Sequence, residues 1–257
     1  MQDKNIRKPV NPAAGKAPPS ASELTVATYN IHACIGNDQR FDPERTVSVL
    51  LELDADVIAL QEVEHHNMDG HDMLDYLANE TGLTAIAGPT LLRATRRYGN
   101  ALLTRLPVSL VNRIDLSSGG REPRGALEVM LDWDGGTLQL VATHLGLMPW
   151  ERRLQVQQLI SLFEPEIADT AVLMGDLNEW FLWGRPLRWL HAHFQAIPIR
   201  ATWPAKRPVF ALDRIWVDPR AQLESLEVHT SPLARMASDH LPLKGYLRRS
   251  DHRNHGP

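Results

Sequence analysis

The chain has 257 residues, 43% of them hydrophobic and 23% charged, enough to bury a large core in one big α/β domain or two small ones. A formal net charge of -4 disfavours gripping a long polyanion, and the single cysteine, Cys34, excludes an intramolecular disulfide and fits a reducing compartment, where it reads as a small buried apolar side chain. No apolar run approaches the roughly 18 residues of a membrane span, and the N-terminus lacks a signal-peptide core, so a cytoplasmic protein is expected.

Residues 1–23 are rich in Lys, Pro, Ala and Ser and carry no hydrophobic period, so nothing offsets the entropy of ordering them; an N-terminal arm is expected, with Lys4, Arg7, Lys8 and Lys16 solvated or brushing an anionic surface. Leu24 to His32 alternates β-branched and small residues and predicts a central strand that ends in Asn30 and His32. Asp42 then caps a helix with Pro43 at its first position and Val47, Leu50 and Leu51 at helical spacing. Asp56 to Val63 predicts the next strand, an apolar run that closes on Glu62. A helix over about 71–79 stops at Gly82, and Tyr98 to Thr104 forms a further strand that leaves through Pro107. Arg93, Arg96, Arg97 and Arg105 surround that strand, either as a solvated surface or as a phosphate-facing rim.

Residues 124–133 and 137–144 predict two strands around the turn Asp134-Gly135-Gly136, a hairpin that delivers His144 to a sheet edge. An amphipathic helix over 149–163 follows, and then the short apolar run Ala171-Val172-Leu173-Met174 ends in Gly175-Asp176-Leu177-Asn178. Such a run reads as a buried strand whose glycine turns the backbone, and the two-residue spacing points Asp176 and Asn178 the same way, as a base and an amide donor. An Asx turn capping the strand is the bland alternative. The segment from Trp180 to Leu190 holds three of the seven tryptophans and reads as core packing, as an aromatic wall for a hydrophobic substrate, or both. A strand over 212–217 carries Asp213, residues 223–229 follow, and a last strand begins right after Asp239-His240.

Asn30, Glu62, His144, Asp176, Asn178, Asp213, Asp239 and His240 thus recur at strand ends, as a pocket at the edges of two packed sheets requires. The mixture is rich in oxygen donors and has no thiolate cluster, which suits Mg²⁺ or Mn²⁺ better than structural zinc.

Six segments, Thr28-Tyr29-Asn30-Ile31-His32, Leu60-Gln61-Glu62-Val63, Gly99-Asn100-Ala101, Thr143-His144-Leu145, Gly175-Asp176-Leu177-Asn178 and Ser238-Asp239-His240-Leu241-Pro242, resemble in order the motifs of the endonuclease/exonuclease/phosphatase superfamily, deoxyribonuclease I-like phosphoesterases. The resemblance spans about residues 24–248, with 249–257 left as a tail. It implies a four-layer α/β sandwich, two mixed β-sheets face to face with helices outside and the site at one end. It further implies that Glu62 is the principal metal carboxylate, with Asn30 beside it and Asp239 supporting the metal end. Asp176 would orient and deprotonate the attacking water, Asn178 would bond a phosphoryl oxygen, and His240 would contact the phosphate with Asp213 orienting it. His144 matches a histidine that, in the deoxyribonuclease I branch, is held by a glutamate; Asn100 stands at that place here and carries no charge, so His144 is expected to bind phosphate. Arg124, Asn100 and Tyr98 complete the expected substrate-binding set.

The expected protein is therefore a monomeric Mg²⁺- or Mn²⁺-dependent phosphodiester hydrolase acting on an anionic, small or lipid-linked substrate. An endonuclease or DNA-repair nuclease is the alternative, for which nucleic acid would be the partner. A binding protein with a dead centre is disfavoured because Glu62, Asp176, Asn178, Asp213 and His240 are all retained.

Overall fold

The structure, a computed structural model, describes residues 22–64, 67, 68, 71–93, 96–164 and 166–249. The expected arm and tail lie outside the described residues except for residues 22, 23 and 249. In chain order the elements are β1 (Glu23–Asn30), α1 (Pro43–Leu53), β2 (Val57–Glu64), β3 (Asn67–Met68), β4 (His71–Asp72), α2 (Met73–Thr81), β5 (Thr84–Arg93), β6 (Arg96–Thr104), β7 (Val108–Asp115), β8 (Gly125–Trp133) and β9 (Gly136–His144). There follow α3 (Pro149–Ile160), β10 (Thr170–Asp176), α4 (Arg185–Phe194), β11 (Asp213–Asp218), β12 (Leu223–Val228), α5 (Ala234–Ala237) and β13 (Leu243–Arg248).

Period-two alternation divides each central strand between two apolar layers. Along β1 and β2, Leu24, Val26, Val57 and Ala59 join the core shared with β8, β9 and β10, whereas Ala27, Tyr29, Ile58 and Leu60 pack against Val47, Leu50 and Leu53 of α1 and Leu74 and Leu77 of α2. Val156 and Leu159 of α3 and Leu187, Leu190 and Phe194 of α4 cover the other sheet. Full burial of a leucine such as Leu53 contributes about 2 kcal/mol, so these layers supply the main drive to fold. The result is the expected four-layer sandwich: a six-stranded sheet in the order β12-β13-β1-β2-β6-β5 faces a five-stranded sheet in the order β11-β10-β9-β8-β7.

Local chemistry fixes the element ends. The Asp42 carboxylate accepts a hydrogen bond from the Arg45 amide at the start of α1, with Pro43 in the first turn, and Gly82 closes α2 in the left-handed conformation. β1 stops at Asn30, and His32 opens a 3-10 turn instead of extending the strand. Cys34 is buried, with its sulfur 3.9 Å from that of Met73.

Candidate active site

Strand direction brings the site together. β9 and β10 run parallel, so their last residues, His144 and Asp176, pair side by side. β11 runs antiparallel to β10, so its first residue, Asp213, lies on the other flank of Asp176. A row of His144, Asp176 and Asp213 therefore crosses one end of the five-stranded sheet. In the six-stranded sheet β1 and β2 are parallel, and β1 ends with Asn30 opposite Gln61 of β2. Between the Leu60–Ala101 and Val63–Gly99 pairs, Gln61 and Glu62 stand against Asn100 alone, a β-bulge. Glu62 there has φ 58°, and Asn178 has φ 49°. Left-handed backbone at a non-glycine residue costs on the order of 1–3 kcal/mol and collects at functional sites. Gly175 is dictated by packing: a Cβ at that position would stand 1.9 Å from the Thr143 carbonyl oxygen of β9.

Asp176 is the hub. Its Oδ2 accepts from Asn30 Nδ2 at 3.1 Å and lies 3.5 Å from His144 Nε2 and 3.6 Å from His240 Nε2, while its Oδ1 accepts from the Asn178 amide at 2.9 Å. Asn30 Nδ2 also donates to Glu62 Oε1 at 2.9 Å, joining the two sheets through one amide. His240 donates from Nδ1 to Asp213 Oδ2 at 2.8 Å, and the same oxygen accepts from Thr202 Oγ1 at 2.6 Å. Asp176, Asp213, His144 and His240 are all buried.

The electrostatics separate the two histidines. Burial alone would depress the His240 imidazole, but the Asp213 and Asp176 carboxylates and the Asp213 hydrogen bond outweigh it and push the group up to about 10. Burial depresses His144 to about 3; Asp176 opposes this, while Arg124 and His240 reinforce it. Arg124 Nη1 stands 3.1 Å from His144 Nδ1, and because a guanidinium only donates, Nδ1 is the acceptor and the ring proton sits on Nε2, facing Asp176. At neutral pH the site thus holds one imidazolium and one neutral imidazole. Burial also raises the Glu62 carboxyl, opposed by the Asn30 hydrogen bond and by His32 and reinforced by the Asp176 and Asp239 carboxylates.

A profile of the Endonuclease/Exonuclease/phosphatase family matches residues 27–252. The chain belongs to this family. Its members are, in general, hydrolytic phosphoesterases that depend on a divalent metal. Among curated relatives, the uncharacterized protein YbhP of Escherichia coli K12 is 29% identical over 248 residues, 86% of this chain and 95% of that one. Among solved structures, a family member from Bacteroides vulgatus is 18% identical with a TM-score of 0.72, covering 89% of this chain and 100% of that one. D. rerio TDP2 complexed with a single-strand DNA product is 17% identical with a TM-score of 0.67, covering 89% and 100%. These likenesses establish the shared fold.

Within this family member, the donors around Glu62 fit a hard divalent cation: a carboxylate raised by burial and by its acidic neighbours gains when positive charge arrives. Glu62 and Asn30 are in contact, and Asp239 adjoins them through Ser238, whose hydroxyl donates to the Asn30 carbonyl at 2.7 Å. Asp176, Asp213 and His240 also lie close enough to share an ion, but His240 and Asp213 already satisfy one another, and an imidazolium is not a ligand. Asp239 also accepts from Trp203 Nε1 at 3.1 Å.

The remaining expected residues divide. Tyr98 hydrogen-bonds Glu62, and burial, followed by the charge of Glu62, raises its phenol. Arg124 is buried between His144 and Glu122, whose Oε2 accepts from its Nη2 at 2.9 Å. Asn100 Nδ2 donates to the Gly125 carbonyl at 2.9 Å, so it braces β6 against β8. Asn178 Nδ2 donates to the Leu145 carbonyl at 3.0 Å and the Asn178 backbone amide donates to Asp176 Oδ1, so Asn178 is already engaged in bracing the row. Arg105 pairs with Asp54 and Asp56 and does not form a phosphate rim; the side chains of Arg93, Arg96 and Arg97 lie outside the described residues. Sequence reading passed over Thr202, Ser238 and the buried Arg152–Glu179 pair at 3.1 Å. Ser238 sits in the Ser-Asp-His motif and was legible there; Thr202 lies in a loop without pattern.

Proposed function

We propose that the chain is a divalent-cation-dependent phosphodiesterase acting on a small or lipid-linked phosphodiester. The observation that carries this reading is the position of Asp176, hydrogen-bonded through Asn30 to Glu62 on one side and facing the His240–Asp213 pair on the other. Asp176 orients a water and takes its proton as the water attacks phosphorus in line with the leaving oxygen. His240, kept as an imidazolium by Asp213, donates to a phosphoryl oxygen and stabilises the charge that grows there. Neutral His144 offers its Nε2 proton as a further donor, and Arg124 holds the ring in place through Nδ1. Glu62, Asn30 and Asp239 would hold Mg²⁺ or Mn²⁺, which supplies neutralisation of the phosphate charge. The net charge of -4 and the tryptophan-rich segment beside Asp176 support a substrate other than a long polyanion.

The similarity to TDP2 complexed with single-strand DNA favours a second reading, a nuclease. The deciding experiment compares plasmid nicking with hydrolysis of a phospholipid head group and of a bis-aryl phosphodiester, each in EDTA and with Mg²⁺ or Mn²⁺ restored. Metal-dependent turnover of a small diester with a shallow salt dependence supports the first reading. Plasmid nicking with a steep salt dependence and no action on either small diester makes the protein a nuclease.

A further inference from the structure

The three loops that meet the site end of the five-stranded sheet expose apolar side chains that a soluble surface ordinarily covers. They are residues 145–148 after β9, 177–184 after β10, and 203–210 before β11; the strand directions that align His144, Asp176 and Asp213 put all three at that end. Trp183 is 74% exposed, Val209 67%, Leu147 60% and Phe181 55%. The loops form one connected surface. Buried Arg152 donates to the Leu147 carbonyl and pairs with Glu179, and Glu179 accepts from the Phe181 amide. Trp180 packs on Phe210 at 4.9 Å and on Trp203 at 5.1 Å, and Trp203 reaches Asp239.

Charge supplies the second observation. Although the whole chain is acidic, every exposed charge in 146–154, 177–188 and 203–210 is basic: Arg153, Arg185, Arg188, Lys206 and Arg207. The acids of these segments, Glu151 and Glu179, are buried. Apolar tips flanked by cations match a surface that is negative at its head groups and apolar beneath them. Single-stranded nucleic acid also takes aromatic and basic residues, but Leu147 and Val209, two of the most exposed positions, have no ring face on which a base could stack.

We propose that these loops dock the protein on an anionic lipid membrane, presenting the Asp176 site to the head groups. The inference deepens the phosphodiesterase reading and rests on it for the substrate, whereas docking itself is measured without turnover.

The test is co-sedimentation of the full chain in EDTA with phosphatidylcholine vesicles, with and without phosphatidylglycerol. Three proteins are compared: the unsubstituted protein, Leu147→Ser/Val209→Ser, and Lys206→Glu/Arg207→Glu, with folding checked by thermal unfolding. The expected results are binding that needs the anionic lipid and falls with salt, weakened about tenfold by the first double substitution. The second should remove the preference for anionic over neutral vesicles. Absence of vesicle binding, or binding that neither folded variant changes, overturns the proposal. So does retention on a single-stranded oligonucleotide in place of vesicles, lost in the same variants. If vesicles bind as expected and no phosphodiester is turned over, docking stands and the enzymatic reading fails.

Discussion

Replacing Asp213 with Asn separates the charge of the His240 partner from its shape. An asparagine carbonyl can still accept from Nδ1 and from Thr202, so the ring keeps its place, but the first of the three carboxylates that favour the imidazolium is gone. The gap between an ordinary 6.5 and about 10 corresponds to a preference for the protonated ring on the order of 5 kcal/mol, set by Asp213 and Asp176 against burial. Without Asp213, burial faces only Asp176 and the weaker pull of Asp239, and His240 should become neutral at pH 7.5. Turnover there should fall by about 10²-fold, as for loss of one strong transition-state donor. Acidic solution should restore part of it as the ring regains its proton. NMR of the His240 ring, assigned by comparison with His240→Gln, reads the protonation directly. An imidazolium signal at pH 7.5 in Asp213→Asn, or unchanged turnover, would refute this reasoning.

Asp176→Asn keeps the shape of the side chain but turns one of its two accepting oxygens into a donor and removes the proton acceptor, so turnover should drop by at least about 10²-fold while the protein still folds; near-normal turnover would reassign the base. Glu62→Gln should raise the Mg²⁺ concentration needed for half-maximal activity, measured by titrating metal into chelated protein; an unchanged requirement would move the cation elsewhere. Gly175→Ala drives a methyl into the Thr143 carbonyl and should destabilise by more than about 3 kcal/mol in urea unfolding, because the Thr143 backbone, paired within the sheet, cannot yield. His144 is depressed in the folded state, so its contribution to stability is present above pH 6.5 and is lost as pH falls from there toward about 3. Between pH 7 and 5 in EDTA this group should cost roughly 2 kcal/mol of stability, and His144→Gln should lose correspondingly less; equal losses would show that His144 is not buried neutral.

The site was legible because its residues close apolar runs. Val57 to Leu60 ending on Gln61-Glu62, and Ala171 to Met174 ending on Gly175-Asp176, announce buried strands whose polar termini have no structural reason to be there. What escaped was less patterned. β5 contains Gly88-Pro89, which reads as a break, and β7 is an edge strand with mostly exposed side chains, so its residues lack the alternation that burial on one face imposes. Arg105 was ambiguous because its partners depend on the loop Asp54-Ala55-Asp56 folding back beside the strand end. Asn100 likewise faces a backbone carbonyl of a strand 25 residues away, a partner that only the packed sheets supply.

Asn30 bridges Glu62 of one sheet and Asp176 of the other, so chemistry in this protein doubles as a gauge of alignment across the seam between the sheets. Leu102 and Leu140 lie buried in that seam. A cavity cut there, by Leu102→Ala for example, lets one layer creep over the other. Since a misplacement of about 1 Å can cost on the order of 10²-fold in rate, turnover should register such creep at temperatures where the fold, by any spectroscopic measure, is still whole.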